Sequence, residues 1–190
     1  MKKTLALSLL GIALSQLAGC AAVVVGGAAT GAAVVTDRRT AGVFVSDQEI
    51  ELRAFNRLRE AFPQGGVSVS VTSYNRQVLL TGQVPDEATR TKVGETVRAI
   101  PDVRAVFNET AVSGVTSLTS DSNDTTITTK IKTRMLRDDR VPSTKVKVVT
   151  EAGVVYLMGL VSKAEGEAAA DVSSTTGGVT KVVKLFEYIN

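Results

Sequence analysis

The chain has 190 residues and a formal net charge of +3, and it contains no His, no Trp and a single Cys. Without His or a second Cys, the usual general bases, thiol nucleophiles, soft metal ligands and internal disulfides are missing. We therefore expect no catalysis, no metal or soluble cofactor and no small-molecule substrate. Without Lys2 and Lys3 the net charge would be +1, which gives no global electrostatic argument for nucleic acid, so nucleic acid is not an expected partner either.

The first 19 residues have the pattern of a secretory signal peptide. Lys2 and Lys3 supply a positive start, and the run from Leu5 to Leu14 is apolar but shorter than a membrane span requires. Small residues follow, as signal peptide cleavage needs. We expect residues 1–19 to be removed from the mature protein.

The stretch Leu17-Ala18-Gly19-Cys20 resembles the lipobox of bacterial lipoproteins. The resemblance implies cleavage before Cys20, attachment of a diacylglycerol to its thiol, and acylation of its new amine by a fatty acid such as palmitate. Three acyl chains exceed what stable anchoring in a bilayer needs. Ala21, rather than Asp, follows the cysteine, and lipoprotein sorting rules then imply the outer membrane, with the protein facing the periplasm.

Residues 20–45 are interpreted as the lipidated cysteine and a flexible tether. The segment from Ala21 to Val35 is almost wholly Ala, Val and Gly, and it is short for a second span. Arg38 and Arg39 are expected near anionic lipid headgroups, where each contributes about 1 kcal/mol at most.

One small domain is encoded twice, in register at a separation of 77 residues. Leu80-Thr81-Gly82-Gln83-Val84 matches Leu157-Met158-Gly159-Leu160-Val161, so the two copies share Leu-x-Gly-x-Val. The predicted boundaries are 46–112 for the first domain, 113–122 for a linker and 123–190 for the second domain.

Each copy predicts helix, strand, strand, helix and strand. Ser46 and Glu49 form a capping box for the first helix of the first copy, and Asn123 or Asp124 is expected to cap its counterpart. Three strands with two helices on one face make a two-layer α+β unit with a mixed sheet. The residues expected on the core faces of the two first helices are Ile50, Ala54, Leu58, Ile127, Ile131 and Met135.

Two αββαβ units with Leu-x-Gly-x-Val and a final Val-rich strand resemble tandem BON domains. With the lipobox, the whole chain resembles the outer-membrane lipoproteins that carry two of them. The resemblance implies binding to anionic phospholipids, mainly through the second domain. It also implies a role in outer-membrane integrity and in cell division under envelope stress, with enrichment at the division site. Thr126 stands where the resemblance leads us to expect an aromatic residue, so the depth of insertion into the membrane is left open.

The two copies differ in charge. From Thr126 to Lys147 there are seven basic residues and two acidic ones, whereas the equivalent stretch from Glu49 to Ser70 has three of each. Such a basic surface attracts anionic lipids such as phosphatidylglycerol or cardiolipin, and salt weakens the attraction. The candidate lipid-binding residues are Thr126, Lys130, Lys132, Arg134, Leu136 and Arg137, of which Lys130, Arg134 and Arg137 form a ridge at helical spacing.

Other interpretations remain open at this stage. The basic ridge is also compatible with an ordinary solvated helix face. Leu136 either inserts into the headgroup layer or belongs to the core. A different class of function is a periplasmic adaptor that presents its sheets or its basic ridge to an envelope enzyme or assembly machine. Exchange of Lys and Arg separates the two functions, because lipid binding tolerates the exchange and a bidentate protein contact does not.

Overall fold

The computed structural model of the protein describes residues 37–113 and 119–190, with the backbone alone for 119–122. The predicted signal peptide, Cys20 and the Ala/Val/Gly-rich segment lie outside the described residues, as does the middle of the predicted linker. Asp37–Asn190 forms one compact unit.

Both copies have the predicted order of helix, strand, strand, helix and strand, and the α+β class is confirmed. The first copy contains α1 (Ala41–Ala61), β1 (Ser68–Tyr74), β2 (Gln77–Val84), α2 (Glu87–Arg98) and a third strand in two pieces, β3 (Ala105–Asn108) and β4 (Ala111–Val112). The second contains α3 (Thr119–Met135), a 3-10 turn (Ser143–Lys145), β5 (Val146–Glu151), β6 (Val154–Val161), α4 (Lys163–Ser174) and β7 (Lys181–Tyr188).

Each sheet is mixed, as predicted, with the second strand of the copy at its centre. The central strand β2 runs antiparallel to β1 and parallel to β3 and β4. In the same way β6 runs antiparallel to β5 and parallel to β7. A tight turn suffices for each antiparallel hairpin, whereas the parallel partner is reached through a crossover helix.

The shared Leu-x-Gly-x-Val marks a close approach between the strands of each hairpin. A Cβ atom on Gly159 would lie 2.6 Å from the carbonyl oxygen of Lys145. A Cβ on Gly82 would overlap the carbonyl oxygen of Ser68, and Gly82 also has a φ of 108°. Glycine is therefore required at this position in both copies.

Two predictions about helix starts are wrong. Helix α1 begins at Ala41 with Thr40 as its N-cap, and not at the predicted capping box of Ser46. Helix α3 begins at Thr119, so Asp124 lies inside the helix and does not cap it. The Asp124 carboxylate instead accepts hydrogen bonds from the backbone amides of Ala152 and Gly153, at 2.7 and 2.9 Å. A side chain that binds a distant turn is indistinguishable in sequence from one that caps its own helix.

The two sheets pack against each other through the faces that the helices leave uncovered. The core of each copy lies between its helices and one face of its sheet. A third cluster joins the opposite faces of both sheets around Tyr74, Leu79, Tyr156 and Met158, all of them buried. The result is four layers in the order helices, sheet, sheet, helices.

Candidate functional site

The predicted core face of α3 is confirmed. Ile127, Ile131 and Met135 are fully buried in the second core. Of the predicted lipid-binding residues, Thr126, Lys130, Lys132 and Arg134 lie on the rest of the helix circumference, and Leu136 and Arg137 directly follow its last residue. They form two flanks on either side of an outer row of threonines.

The outer row consists of threonines whose hydroxyl groups are satisfied within the helix. Thr129 donates to the carbonyl oxygen of Thr125, and Thr133 donates to that of Thr129, each at 2.8 Å. Thr126 is also exposed on this side. Because the hydroxyls of Thr129 and Thr133 already have partners, losing water around this row leaves few polar groups unsatisfied.

The flank that faces α4 carries Lys130 and Arg134. A shallow cavity of about 420 Å³ lies here, and its walls include the threonines at the end of α4. The Arg134 guanidinium donates to the carbonyl oxygen of Val172 at 2.8 Å and to the hydroxyls of Thr176 and Thr175 at 2.6 and 2.9 Å. Arg134 therefore holds the C-terminal end of α4, and only Lys130 on this flank is free to turn toward a ligand.

The opposite flank carries Lys132 and Leu136. Both line a cavity of about 380 Å³ together with Asp37, Tyr74 and Lys147. Leu136 is 71% exposed, which decides between its two interpretations: it is a surface residue and not part of the core. Leu136 therefore offers an exposed apolar side chain next to the positive charge of Lys132.

The remaining cations of the basic stretch are partly neutralised. Arg140 bonds Asp138 at 2.8 Å and Asp171 at 3.2 Å, which raises the pKa of Arg140, and Lys147 lies 3.5 Å from Glu51. In contrast, Lys130, Lys132 and Arg137 form no ion pair within the part of the chain that the structure describes.

The expectation for Arg38 and Arg39 is wrong, because both are anchored to the folded domains. Arg38 forms a bidentate ion pair with Glu165 of the second domain, with both contacts at 2.7 Å, and donates to the carbonyl oxygen of Leu160 at 2.9 Å. Arg39 pairs with Asp37 at 2.6 Å and with the buried Asp47 at 2.7 Å. The segment 37–39 is thus a strap that joins both domains.

The strap also affects the pKa values of groups that line the neighbouring cavity. The Arg39 guanidinium lies 3.9 Å from the centre of the Tyr74 ring. Burial alone would raise the pKa of Asp37, but hydrogen bonds from Arg39 outweigh it and lower that pKa. Burial raises the pKa of Tyr74 to about 12, so its hydroxyl stays protonated and can donate to Asp37 or to the carbonyl oxygen of Lys145. No local pattern in the sequence identifies the contact of the strap with the second domain, because Leu160 and Glu165 lie 122 and 127 residues from Arg38.

None of the helices within residues 37–113 and 119–190 is long and apolar enough to cross a membrane.

The BON domain family model matches residues 46–114 and 123–190. The chain therefore belongs to the BON domain family. One relative of these tandem BON domains is the outer membrane lipoprotein DolP of Haemophilus influenzae, which is 39% identical over 92% of this chain and 91% of its own length. A 21 kDa hemolysin of Actinobacillus pleuropneumoniae is 35% identical over 80% of this chain and 79% of its own. Osmotically-inducible protein Y of Escherichia coli is 30% identical over 74% and 72%.

The two BON domains differ at the candidate surface. Thr129, Lys132 and Leu136 of the second BON domain correspond to Leu52, Phe55 and Arg59 of the first. The same helix face therefore carries Thr, Lys and Leu in one BON domain and Leu, Phe and Arg in the other, so the fold alone does not dictate its chemistry.

Proposed function

We propose that the protein is a non-enzymatic lipoprotein of the outer membrane whose second BON domain binds anionic phospholipids through α3. The name of the relative from Haemophilus influenzae supports the outer-membrane location, and the lipobox at Cys20 supports the anchor. The protein would face the periplasm, with the bilayer as its main partner.

The observation that carries the proposal is a set of three cations, of which Lys130 and Lys132 lie on α3 and Arg137 lies in the turn that follows it. Lys130, Lys132 and Arg137 are exposed and form no ion pair among the described residues. They lie around the row of threonines, and the hydroxyls of Thr129 and Thr133 keep their hydrogen bonds within the helix when water is removed. Each cation near an anionic membrane contributes about 1 kcal/mol, so three give weak binding by themselves.

The lipid anchor would make this weak binding effective. Asp37, which lies within the predicted tether, lines the same cavity as Lys132 and Leu136. The stretch from Cys20 to Asp37 spans at most about 60 Å when fully extended. The anchor therefore keeps α3 within reach of its bilayer and raises the effective lipid concentration.

Among the described residues, the cavity beside α3 offers one free cation to a phosphoglycerol headgroup. Lys130 supplies that cation for a phosphodiester. The hydroxyls of Thr175 and Thr176 in the same wall donate to the carbonyl oxygens of Asp171 and Val172, so toward a glycerol hydroxyl they can only accept. Phosphatidylglycerol and cardiolipin carry both a phosphodiester and a glycerol hydroxyl. On the opposite flank, Leu136 would enter the headgroup layer, and Thr126 in place of an aromatic residue would keep the insertion shallow.

In the cell, such a protein would support outer-membrane integrity and cell division under envelope stress, with enrichment at the division site. This part of the proposal depends on the resemblance to two-domain BON lipoproteins. A strain that lacks the protein should lose resistance to detergents and large antibiotics, and a version with Cys20→Ser should fail to restore it.

Vesicle flotation tests the binding proposal. Residues 37–190 are mixed with neutral phosphatidylcholine vesicles or with vesicles that contain phosphatidylglycerol, at low and high salt. We expect flotation with the anionic vesicles alone and a loss at high salt, because headgroup attraction is screened. Absence of binding to anionic vesicles at low salt would contradict the proposal.

Lys/Arg exchange separates lipid binding from the adaptor function. The variant Lys130→Arg, Lys132→Arg, Arg137→Lys keeps every charge and changes the hydrogen-bonding geometry. We expect it to float like the unmodified fragment, since headgroup attraction depends mainly on charge. Loss of binding in this variant would instead favour a shaped protein partner, because bidentate contacts do not survive the exchange.

A further inference from the structure

The edge strand β1 of the first BON domain is unprotected. Among the described residues β1 pairs only with β2, so its other edge presents unpaired backbone groups. Its accessible part, from Ser68 to Thr72, alternates valine with small hydroxyl side chains and contains no charge and no proline. The far end of the strand differs, because the amide of Ser73 donates to Glu51 at 2.8 Å.

The equivalent edge of the second BON domain is protected. Lys147 on β5 stands where β1 has Ser70, and Lys145, directly before β5, stands where β1 has Ser68. Lysines at the edge of a sheet repel an incoming strand of the same kind. The strap residues Asp37 and Arg39 also line the cavity beside this edge. The outer strand β7 carries lysines as well, and the third strand of the first domain is interrupted between β3 and β4.

An apolar surface lies on the helix next to the bare edge. Leu52 is 61% exposed and Phe55 is 53% exposed, one helical turn apart on α1. A groove of about 620 Å³ runs between the C-terminal half of α1 and the start of β1. Its apolar walls are Phe55, Leu58, Phe62, Val67 and Val69.

We propose that this face binds a second copy of the chain, with β1 pairing antiparallel to β1 of the other copy. A two-fold axis at Ser70 would join the two sheets into one and bring the α1 helices together across it. Leu52 and Phe55 of each copy would then cover each other and the groove. One arrangement thus accounts for both the unpaired edge of β1 and the exposed side chains of Leu52 and Phe55.

A second copy fits this surface because β1 and the exposed apolar side chains of α1 can each pack against the same feature of another copy. A neutral Val/Ser strand meets its own copy without like-charge repulsion, whereas β5 would place lysine against lysine. Five strand residues and two exposed apolar side chains make a small contact beside the roughly 800 Å² per partner of a standard interface. The association is therefore weak in dilute solution and strengthened where copies share a membrane.

Disulfide trapping of the full-length lipoprotein in its own membranes tests the proposal. Cys20 is the only cysteine of the sequence, and the proposed lipid anchor occupies its thiol, so Ser70→Cys introduces a single free thiol. On the two-fold axis the two Cβ atoms would lie about 4.5–5.5 Å apart, close enough for a disulfide after a small shift. We expect copper-phenanthroline to give a covalent dimer of this variant.

Lys147→Cys is the matched control, since it occupies the equivalent position on the protected edge. It should give little dimer under the same oxidation. Equal dimer yields from the two variants, or no dimer from Ser70→Cys, would overturn the proposal.

A second variant tests the apolar stripe. Leu52→Thr with Phe55→Lys, in the Ser70→Cys background, gives α1 the residues that the second domain already carries at these positions. Circular dichroism and thermal melting establish that this variant is folded. We expect the covalent dimer to be lost, and an undiminished yield in a folded variant would show that α1 takes no part.

Discussion

Asp47 and Asp124 occupy equivalent buried positions, and each accepts hydrogen bonds from two consecutive backbone amides of the adjacent hairpin turn. The turn residues adopt left-handed backbone conformations, with φ of 52° and 63° at Asn75 and Arg76. A carboxylate from the first helix therefore fixes the turn in both BON domains. Asp47 does more, because it also accepts from the Ser73 hydroxyl and from Arg39.

Replacement of these carboxylates should destabilise the two domains unequally. Asp124→Ala leaves two turn amides without their partner, which costs about 2 kcal/mol. Asp47→Ala also removes one partner of the largely buried Arg39, and we expect about 3–5 kcal/mol. Urea denaturation measures both, and an equal loss in the two variants would contradict the role of Asp47 in holding the strap.

The glycine of the shared motif should resist substitution. Gly159→Ala places a methyl group 2.6 Å from the carbonyl oxygen of Lys145, and the strand must shift, at about 1–3 kcal/mol. Gly82→Ala should cost more, since its left-handed φ adds strain. Gly177→Ala is the control, because a Cβ there meets no atom within 4 Å. Melting temperatures that fall equally in all three variants would contradict this account.

The ion pair between the strap and the second domain should make stability depend on pH. The hydrogen bonds from Arg38 lower the pKa of Glu165 from 4.5 to about 2. A lowered folded-state pKa means that the contribution is present above pH 4.5 and is lost as the pH falls toward 2. We expect a coupling of about 1 kcal/mol at pH 7, because the pair is partly exposed.

A double-mutant cycle of Arg38→Gln and Glu165→Gln measures this coupling by urea denaturation between pH 7 and pH 2.5. The coupling should shrink steadily below pH 4.5. A coupling that is constant across this range, or absent at pH 7, would mean that the pair does not hold the strap to the second domain.

Leu136 should contribute to vesicle binding and not to folding. Leu136→Ser should change the free energy of unfolding by less than about 0.5 kcal/mol, since the side chain is exposed. Binding to anionic vesicles should fall about five-fold, the equivalent of about 1 kcal/mol of apolar contact. Val45→Ser, at another exposed apolar residue on a helix of the first domain, is the matched control for flotation. Equal effects of the two substitutions would argue against a specific contact by Leu136.

The repeat and the periodicity of apolar residues predicted the fold class and the core. Apolar residues at every third or fourth position indicate one face of a helix. This spacing alone predicts Ile127, Ile131 and Met135 as core residues, and all three are buried. The contact between the sheets was not predicted, although Val78-Leu79-Leu80 is apolar on both faces of its strand. A strand that is apolar on both faces predicts a second covering layer but does not identify it.

The candidate site was predicted less completely than the fold. Spacing placed Lys130, Arg134 and Arg137 on one ridge, but it could not reveal that Arg134 holds the end of α4. The sequence also does not reveal that Arg38 pairs with Glu165, which is 127 residues away. The partners of Arg39, Asp37 and Asp47, are close in sequence, but nothing in the spacing marks them as its partners. For Arg134 and Arg38 the error concerns a partner far along the chain, which local sequence does not encode.

The central claim is that the cations of α3 bind anionic lipid, and charge reversal in vesicle flotation tests it most directly. One variant carries Lys130→Glu, Lys132→Glu and Arg137→Glu, and leaves Arg134 in place so that α4 keeps its cap. The control carries Arg53→Glu, Lys92→Glu and Arg98→Glu, which changes the total charge equally on the first domain. We predict that phosphatidylglycerol vesicles at low salt retain the control and lose the α3 variant. Equal binding of the two variants would contradict the claim.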